Sequence, residues 1–284
     1  MTLEKREKAD FPNGVVLHQI DPQSRRPNGG VSERQVLMRL PLRFFLYGGA
    51  VLPVLGVYLC VVYSYVYQSH LVFANLTTMG CKNVQSVVVA ASWSIGMYNP
   101  QKSFWIGVLW FVYPCRVFWV FLHEQLYMDL DPKRVQGAWY GMAARTMSVC
   151  ILLEGLGLMT VTLISQHELH ALGFISWVMG WNVHMFLNVA LHHVSGWRSM
   201  SPQANRHFYI KVAIVATAMA LCVSSAVVFV YFLRTCKNWA YATFASLELL
   251  VILSNGVYYW TMAWEMPRVD IGVFAARLNP KKLS

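Results

Sequence analysis

Four ionisable side chains stand in stretches otherwise suited to the interior of a bilayer: Arg116, Glu154, His184 and Glu248. An arginine can hold a carboxylate and a histidine can pass a proton. A desolvated carboxylate without a partner takes up a proton sooner than stay ionised. One Arg and two Glu leave −1, so either one Glu is neutral or His184 is protonated. Asn255 adds an amide on the stretch that carries Glu248. The five residues form either a functional polar network or interhelical glue; Asn182, Asn188 and Asn255 lean toward the second reading. A separate run, Gln166-His167-Glu168-Leu169-His170, sets two histidines beside a carboxylate. His170 and Glu168 are candidates for acid–base catalysis at a headgroup or ester carbonyl, and the bland alternative is a short polar turn. The run is short of ligands for a metal, so none is expected; no cofactor motif is present either.

The elements that must position these groups follow from composition. Of 284 residues, 56% are hydrophobic and 13% charged, whereas a soluble domain carries about a quarter charged residues. A soluble enzyme, a disordered chain and a nucleic-acid arm are excluded, and the net charge of +10 is no mark of nucleic-acid binding. A membrane helix needs about 20 mostly apolar residues. Residues 44–66 and 212–233 qualify without a charge, and 103–122, 145–165, 171–193 and 239–264 qualify with polar interruptions. The prediction is an all-α polytopic protein, a six-helix transmembrane bundle. A short helix within Val84–Met97 is expected to lie in the interface between spans one and two. Residues 1–40, with Pro12, Pro22, Pro27 and Gly29-Gly30, read as a polar, flexible tail, 41–266 as the membrane domain and 267–284 as a basic tail. At the helical rise, Glu154 and Glu248 lie about 13–16 Å from one membrane face and Arg116 and His184 about 20 Å. Their depths permit contact.

Most of the 23 Lys and Arg fall on the side of the two ends, while Lys82, Lys102, Arg234 and Lys237 fall on the other. The excess belongs in the cytosol, so both termini are expected there. On the opposite, luminal side fall the glycosylation pattern Asn75-Leu76-Thr77 and the cysteines Cys81 and Cys236. An oxidising lumen would let those two pair; the alternative is two free thiols. His123-Glu124, Asp129 and Asp131 read as a solvated cytosolic loop and His192-His193 as a helix end. Lys281-Lys282, four and three places from the end, reads as a retrieval address of early secretory membranes or as a basic tail touching anionic headgroups. There is no GxSxG elbow, HExxH, P-loop or dinucleotide turn, and no span contains an aspartate.

Several short stretches carry a resemblance. They are Pro114-Cys115-Arg116, the span centred on Glu154, His170 through Gly173-Phe174-Ile175 to His184-Met185, and Tyr231-Phe232-Leu233-Arg234 with Cys236. To these add Tyr241, Leu247-Glu248, Asn255 and Met262-Ala263-Trp264-Glu265. In order and spacing, over about residues 40–266, the chain resembles the post-GPI-attachment factors of the FRAG/DRAM/Sfk family. The resemblance implies a Golgi role in lipid remodelling of GPI anchors, in which a lyso-GPI is re-esterified with a saturated chain. Lyso-GPI and membrane lipids are then the partners, with nucleic acid excluded. The member either transfers the acyl group itself or presents the lipid to an acyltransferase partner. A lipid-organising regulator without chemistry is the alternative within the same family.

Overall fold

The computed structural model describes residues 34–72, 76–78, 81–96, 98–129, 131, 133–164, 167–265 and 270–276. Among them are six helices long and apolar enough to cross a membrane. In chain order the elements begin with β1 (Arg34–Pro41), α1 (Leu42–Tyr67), the one-turn α2 (Ser69–Val72), β2 (Leu76–Thr78), β3 (Cys81–Val84) and α3 (Ala91–Gly96). The long helices α4 (Gln101–Met128), α5 (Ala138–Leu163), α6 (His167–Val194), α7 (Pro202–Thr235) and α8 (Asn238–Met262) follow, then β4 (Asp270–Ala276). Residues 41–269 form one compact unit. Residues 1–40 with 270–284 form another, in which the described stretches are the paired strands β1 and β4. The sequence reading expected no strands in these tails.

The buried residues of α1 run Leu42, Leu46, Gly49, Ala50, Pro53, Gly56, Val57, Cys60, Val61, Ser64. That is a single stripe at helical spacing, and small residues dominate its middle. Lipid is as apolar as leucine, so close approach rather than hydrophobic contrast selects the inward face. A Cβ built at Gly49 would lie 3.1 Å from Cys115 Cβ, which is how α1 and α4 come together. α5 and α6 meet more closely still. A Cβ on Gly157 would stand 2.8 Å from the Gly173 carbonyl oxygen, and one on Gly173 would stand 2.9 Å from Thr160 Cβ. α8 packs against α1 and α7, while α7 is mostly exposed and leans on α8. The inner faces of α4, α5, α6 and α8 bury Trp119, Met147, Trp181, Met185, Tyr258 and Tyr259.

One end of the bundle carries the α1–α4 connection and the turns α5–α6 and α7–α8. β2 and β3 pair antiparallel in that connection, Leu76 opposite Val84 and Thr78 opposite Cys81. Cys81 is bonded to Cys236, with their Cα atoms 5.5 Å apart. This end is called the disulfide end, and the other, where α1 begins and α8 finishes, the basic end. Within the expected Val84–Met97 window, helix among the described residues is confined to Ala91–Gly96. Residues 85–90 instead run as bends and extended chain pinned by side chains: Tyr65 hydroxyl donates to Val87 O at 2.6 Å, and Ser86 hydroxyl to Val88 O at 2.5 Å.

Candidate functional site

α4, α5, α6 and α8 each bring one polar residue or more to the middle of the bundle. Gly180 of α6 faces the α5 backbone, where a Cβ would lie 3.0 Å from both Cys150 O and Glu154 N. One turn on, His184 is therefore held against Glu154, its Nδ1 3.7 Å from Glu154 Oε2. Asn255 and Tyr259, a helical turn apart on α8, present their side chains to the same carboxylate. Asn255 Nδ2 donates to Glu154 Oε1 at 2.9 Å and Tyr259 hydroxyl to Oε2 at 2.6 Å. Arg116 Nη1 pairs directly with Glu154 Oε1, and its Nη2 donates to Asn255 Oδ1 at 2.8 Å. The guanidinium lies over the Tyr259 ring, 3.8 Å from its centroid. Glu154 and His184 have no exposed surface and Arg116 only 4%.

The assembly closes on itself. One guanidinium balances one carboxylate, and that carboxylate accepts from three donors, the arrangement a buried ion pair requires. The charge sum made on sequence changes accordingly, because Glu248 is not a member of this cluster. Seven residues from Asn255 on α8, it accepts the backbone N–H of Ala91 at 2.9 Å, tying α3 to the bundle. The physical reason is helix pitch: two turns along α8 carry Glu248 about 10 Å toward the disulfide end.

The two meet at a cavity instead. A space of about 60 Å³ is walled by Pro53, Ser92, Trp105, Arg116, Glu248 and Asn255, with Thr162 and Trp177 beside them. It has room for a few waters or the end of a polar group. Trp105 Nε1 is satisfied by Thr162 Oγ1 at 3.0 Å. Arg116 Nε and Trp177 Nε1 are buried N–H donors without a hydrogen-bond partner among the described residues, as are the indole N–H groups of Trp93, Trp119, Trp181 and Trp197 elsewhere. Buried donors are rarely left so, and Arg116 and Trp177 both line the one cavity.

The other residues singled out on sequence lie elsewhere. His170, half-buried, has Nδ1 3.2 Å from Ile164 O, bridging the α5–α6 turn. Some 21 Å of α6 separates it from His184. Glu168 lies in the first turn of α6. Asn75, Lys281 and Lys282 lie outside the described residues.

A second polar group, toward the basic end, escaped the sequence reading. Lys211, one residue outside the apolar window 212–233, is buried in α7 and pairs with Glu265. His192 does lie in the last turn of α6, as expected, but is buried there with Nδ1 3.6 Å from Glu265 Oε1. Between the two groups Tyr258 hydroxyl donates to Asn188 Oδ1 at 2.9 Å and Asn188 Nδ2 to Tyr127 hydroxyl at 3.0 Å. His123 is likewise no loop residue. α4 runs on to Met128, so His123 is fully buried, stacked on Trp119 at 5.2 Å and 5.9 Å from the His184 ring. The signal for Lys211 was present. Ser201-Pro202 starts a helix, with Ser201 Oγ accepting from Ala204 N at 3.0 Å and Pro202 in the first turn, so Lys211 sits more than two turns inside.

Fold and interior together define a polytopic helical membrane protein with a closed, charge-balanced polar constellation beneath a small cavity. The chain belongs to the Frag1/DRAM/Sfk1/Cwh43P family, whose N-terminal domain profile matches residues 41–269. A Xenopus tropicalis protein named "Acyltransferase PGAP2" is 25% identical over 247 residues, covering 84% of this chain and 94% of its own. "Post-GPI attachment to proteins factor 2" of Drosophila pseudoobscura pseudoobscura is 21% identical over 240 residues, covering 84% and 91%. The Drosophila melanogaster protein of the same name is 22% identical over 245 residues, with the same coverage. No solved structure gives a significant match.

Proposed function

We propose that this protein promotes lipid remodelling of GPI anchors in the secretory pathway, re-esterifying a lyso-GPI with a saturated fatty acid so that anchored proteins are stably displayed at the cell surface. The names of the relatives support the substrate class. The observation that carries the chemistry is that Arg116, whose Nε has no hydrogen-bond partner among the described residues, lines the same cavity as Glu248. In acyl transfer the lyso-lipid hydroxyl oxygen attacks the carbonyl carbon of an activated acyl donor. The ester C–O bond forms, the donor's bond to its leaving group breaks, and the hydroxyl proton passes through a base to that leaving group. Arg116 Nε and Trp177 Nε1 are the donors for the developing oxyanion, and Glu248 is the base on the same wall. Glu154, Asn255 and Tyr259 hold the guanidinium in position. His170 and Glu168 form the competing base pair, at the membrane boundary.

The reading carries a location: Golgi membranes, with return to the endoplasmic reticulum through Lys281-Lys282, both termini cytosolic, and the disulfide end with Asn75 in the lumen. A second reading makes the bundle a lipid-binding module that hands lyso-GPI to a separate acyltransferase. It is favoured by the engagement of Glu154 with three donors and of His170 with a backbone carbonyl. Lipid profiles of GPI anchors from cells lacking the protein test the proposal. Loss of sn-2 saturated chains, restored by the wild type and by His170→Ala and Glu168→Ala but not by Glu248→Gln, is the expected result. Unchanged sn-2 chains would remove the remodelling role. Full rescue by Glu248→Gln, or failure of His170→Ala at normal expression, would move the chemistry away from the cavity.

A further inference from the structure

A larger concavity lies away from the polar interior, on the outer face of α5. It is a groove of about 500 Å³ lined by Ala138, Gly141, Met142, Arg145, Thr146 and Val149. These positions recur at three and four residues, so they form one helical face. Ala138 and Gly141 leave its floor low, and Met128 of α4 stands at its edge, 3.6 Å from where a Cβ on Gly141 would be. The volume falls in the range of sites that hold small organic molecules.

Three cations of the described residues sit seven or more residues inside a membrane-length helix: Arg116, Arg145 and Lys211. Arg116 and Lys211 are buried and paired with carboxylates. Arg145 is exposed and makes no ion pair with any described residue. A charge at this depth needs a protein partner, a ligand or a reach back to the headgroup level. Trp139, 53% exposed at the start of α5, marks the interfacial height that exposed tryptophans take. Arg145 lies about 9 Å further in, and its side chain covers most of that distance when it reaches back toward the headgroups.

We propose that this groove holds an anionic phospholipid from the leaflet at the basic end. The phosphate meets the Arg145 guanidinium, and one acyl chain runs inward past Met142, Thr146 and Val149. The preference for net negative charge follows from the neighbourhood. The α4–α5 and α6–α7 connections at the same end carry Lys133, Arg134 and Arg198 against Asp129 and Asp131; with Arg145 the positive charge is in excess, so a zwitterionic headgroup would bring its own cation against it. The site is separate from the interior cavity, and its test requires no enzymatic assay.

The full chain, purified in detergent, is titrated with mixed micelles of phosphatidylserine or phosphatidylcholine, or with inorganic phosphate. Bound lipid is counted by native mass spectrometry. The expected result is phosphatidylserine bound about fivefold more tightly than phosphatidylcholine, the factor one interfacial basic residue supplies. Arg145→Gln abolishes that preference and Arg145→Lys retains most of it. Gly141→Leu, which fills the groove and keeps the charge, weakens both lipids. Equal binding of the two lipids, an Arg145→Gln protein that still prefers phosphatidylserine, or inorganic phosphate competing fully for the site would each overturn the proposal.

Discussion

Arg116 and Glu154 depend on each other in a way that can be measured. Leucine in place of Arg116 strands a carboxylate with no exposed surface, leaving it only Asn255 and Tyr259 as donors. Breaking a buried pair by removing one partner costs about 3–5 kcal/mol. Glutamine at Glu154 keeps the shape and one acceptor oxygen, so the guanidinium left without its counter-charge still has that oxygen and Asn255 Oδ1 as acceptors. Arg116→Leu should therefore lower the unfolding temperature of the purified protein more than Glu154→Gln does; the reverse order would show that the pair is not what holds this region. The candidate residues were legible in the sequence because a charge in oil stands out. Which of them touch was not. Glu248 and Asn255 share a face of α8, yet only Asn255 reaches Glu154, because two helical turns separate them and α3 offers Glu248 a backbone N–H.

At the scale of elements, Gly157 and Gly173 let the α5 and α6 backbones touch. Alanine at Gly157 has nowhere to go, since its Cβ meets backbone on α6 and not the end of a flexible side chain. It should destabilise the protein by about 1–3 kcal/mol. Alanine at Gly107, where a Cβ meets nothing within 4 Å, should be neutral in the same thermal assay. Equal behaviour of the two variants would mean that α5 and α6 are not packed backbone to backbone. The six spans were readable from run length, because a bilayer requires each helix to be apolar for its whole thickness. Their ends were less readable. α4 and α7 continue past the apolar windows, and this is what buries His123 and Lys211. Hydropathy marks where a helix leaves lipid, not where it stops being a helix.

For the whole molecule, six spans set both ends of the membrane unit on one side and the disulfide end on the other. With that end in the lumen, Asn75 should carry a glycan: the protein should gain mobility on glycosidase treatment, and Asn75→Gln should not. A glycan-free wild type with its termini accessible from the lumen would invert the orientation. By itself the sequence determined the all-helical class, the number of spans, the family and the polar residues Arg116, Glu154, His184 and Asn255, because each follows from local composition or from short motifs in order. Only the tertiary structure decided which polar groups share a carboxylate, that Glu248 anchors α3, that Lys211 pairs with Glu265 and that Arg145 is left facing outward. Those outcomes depend on the rotation of each helix about its axis. In a medium as apolar as the side chains, rotation is chosen by close approach at small residues far apart in the chain, which no local pattern records.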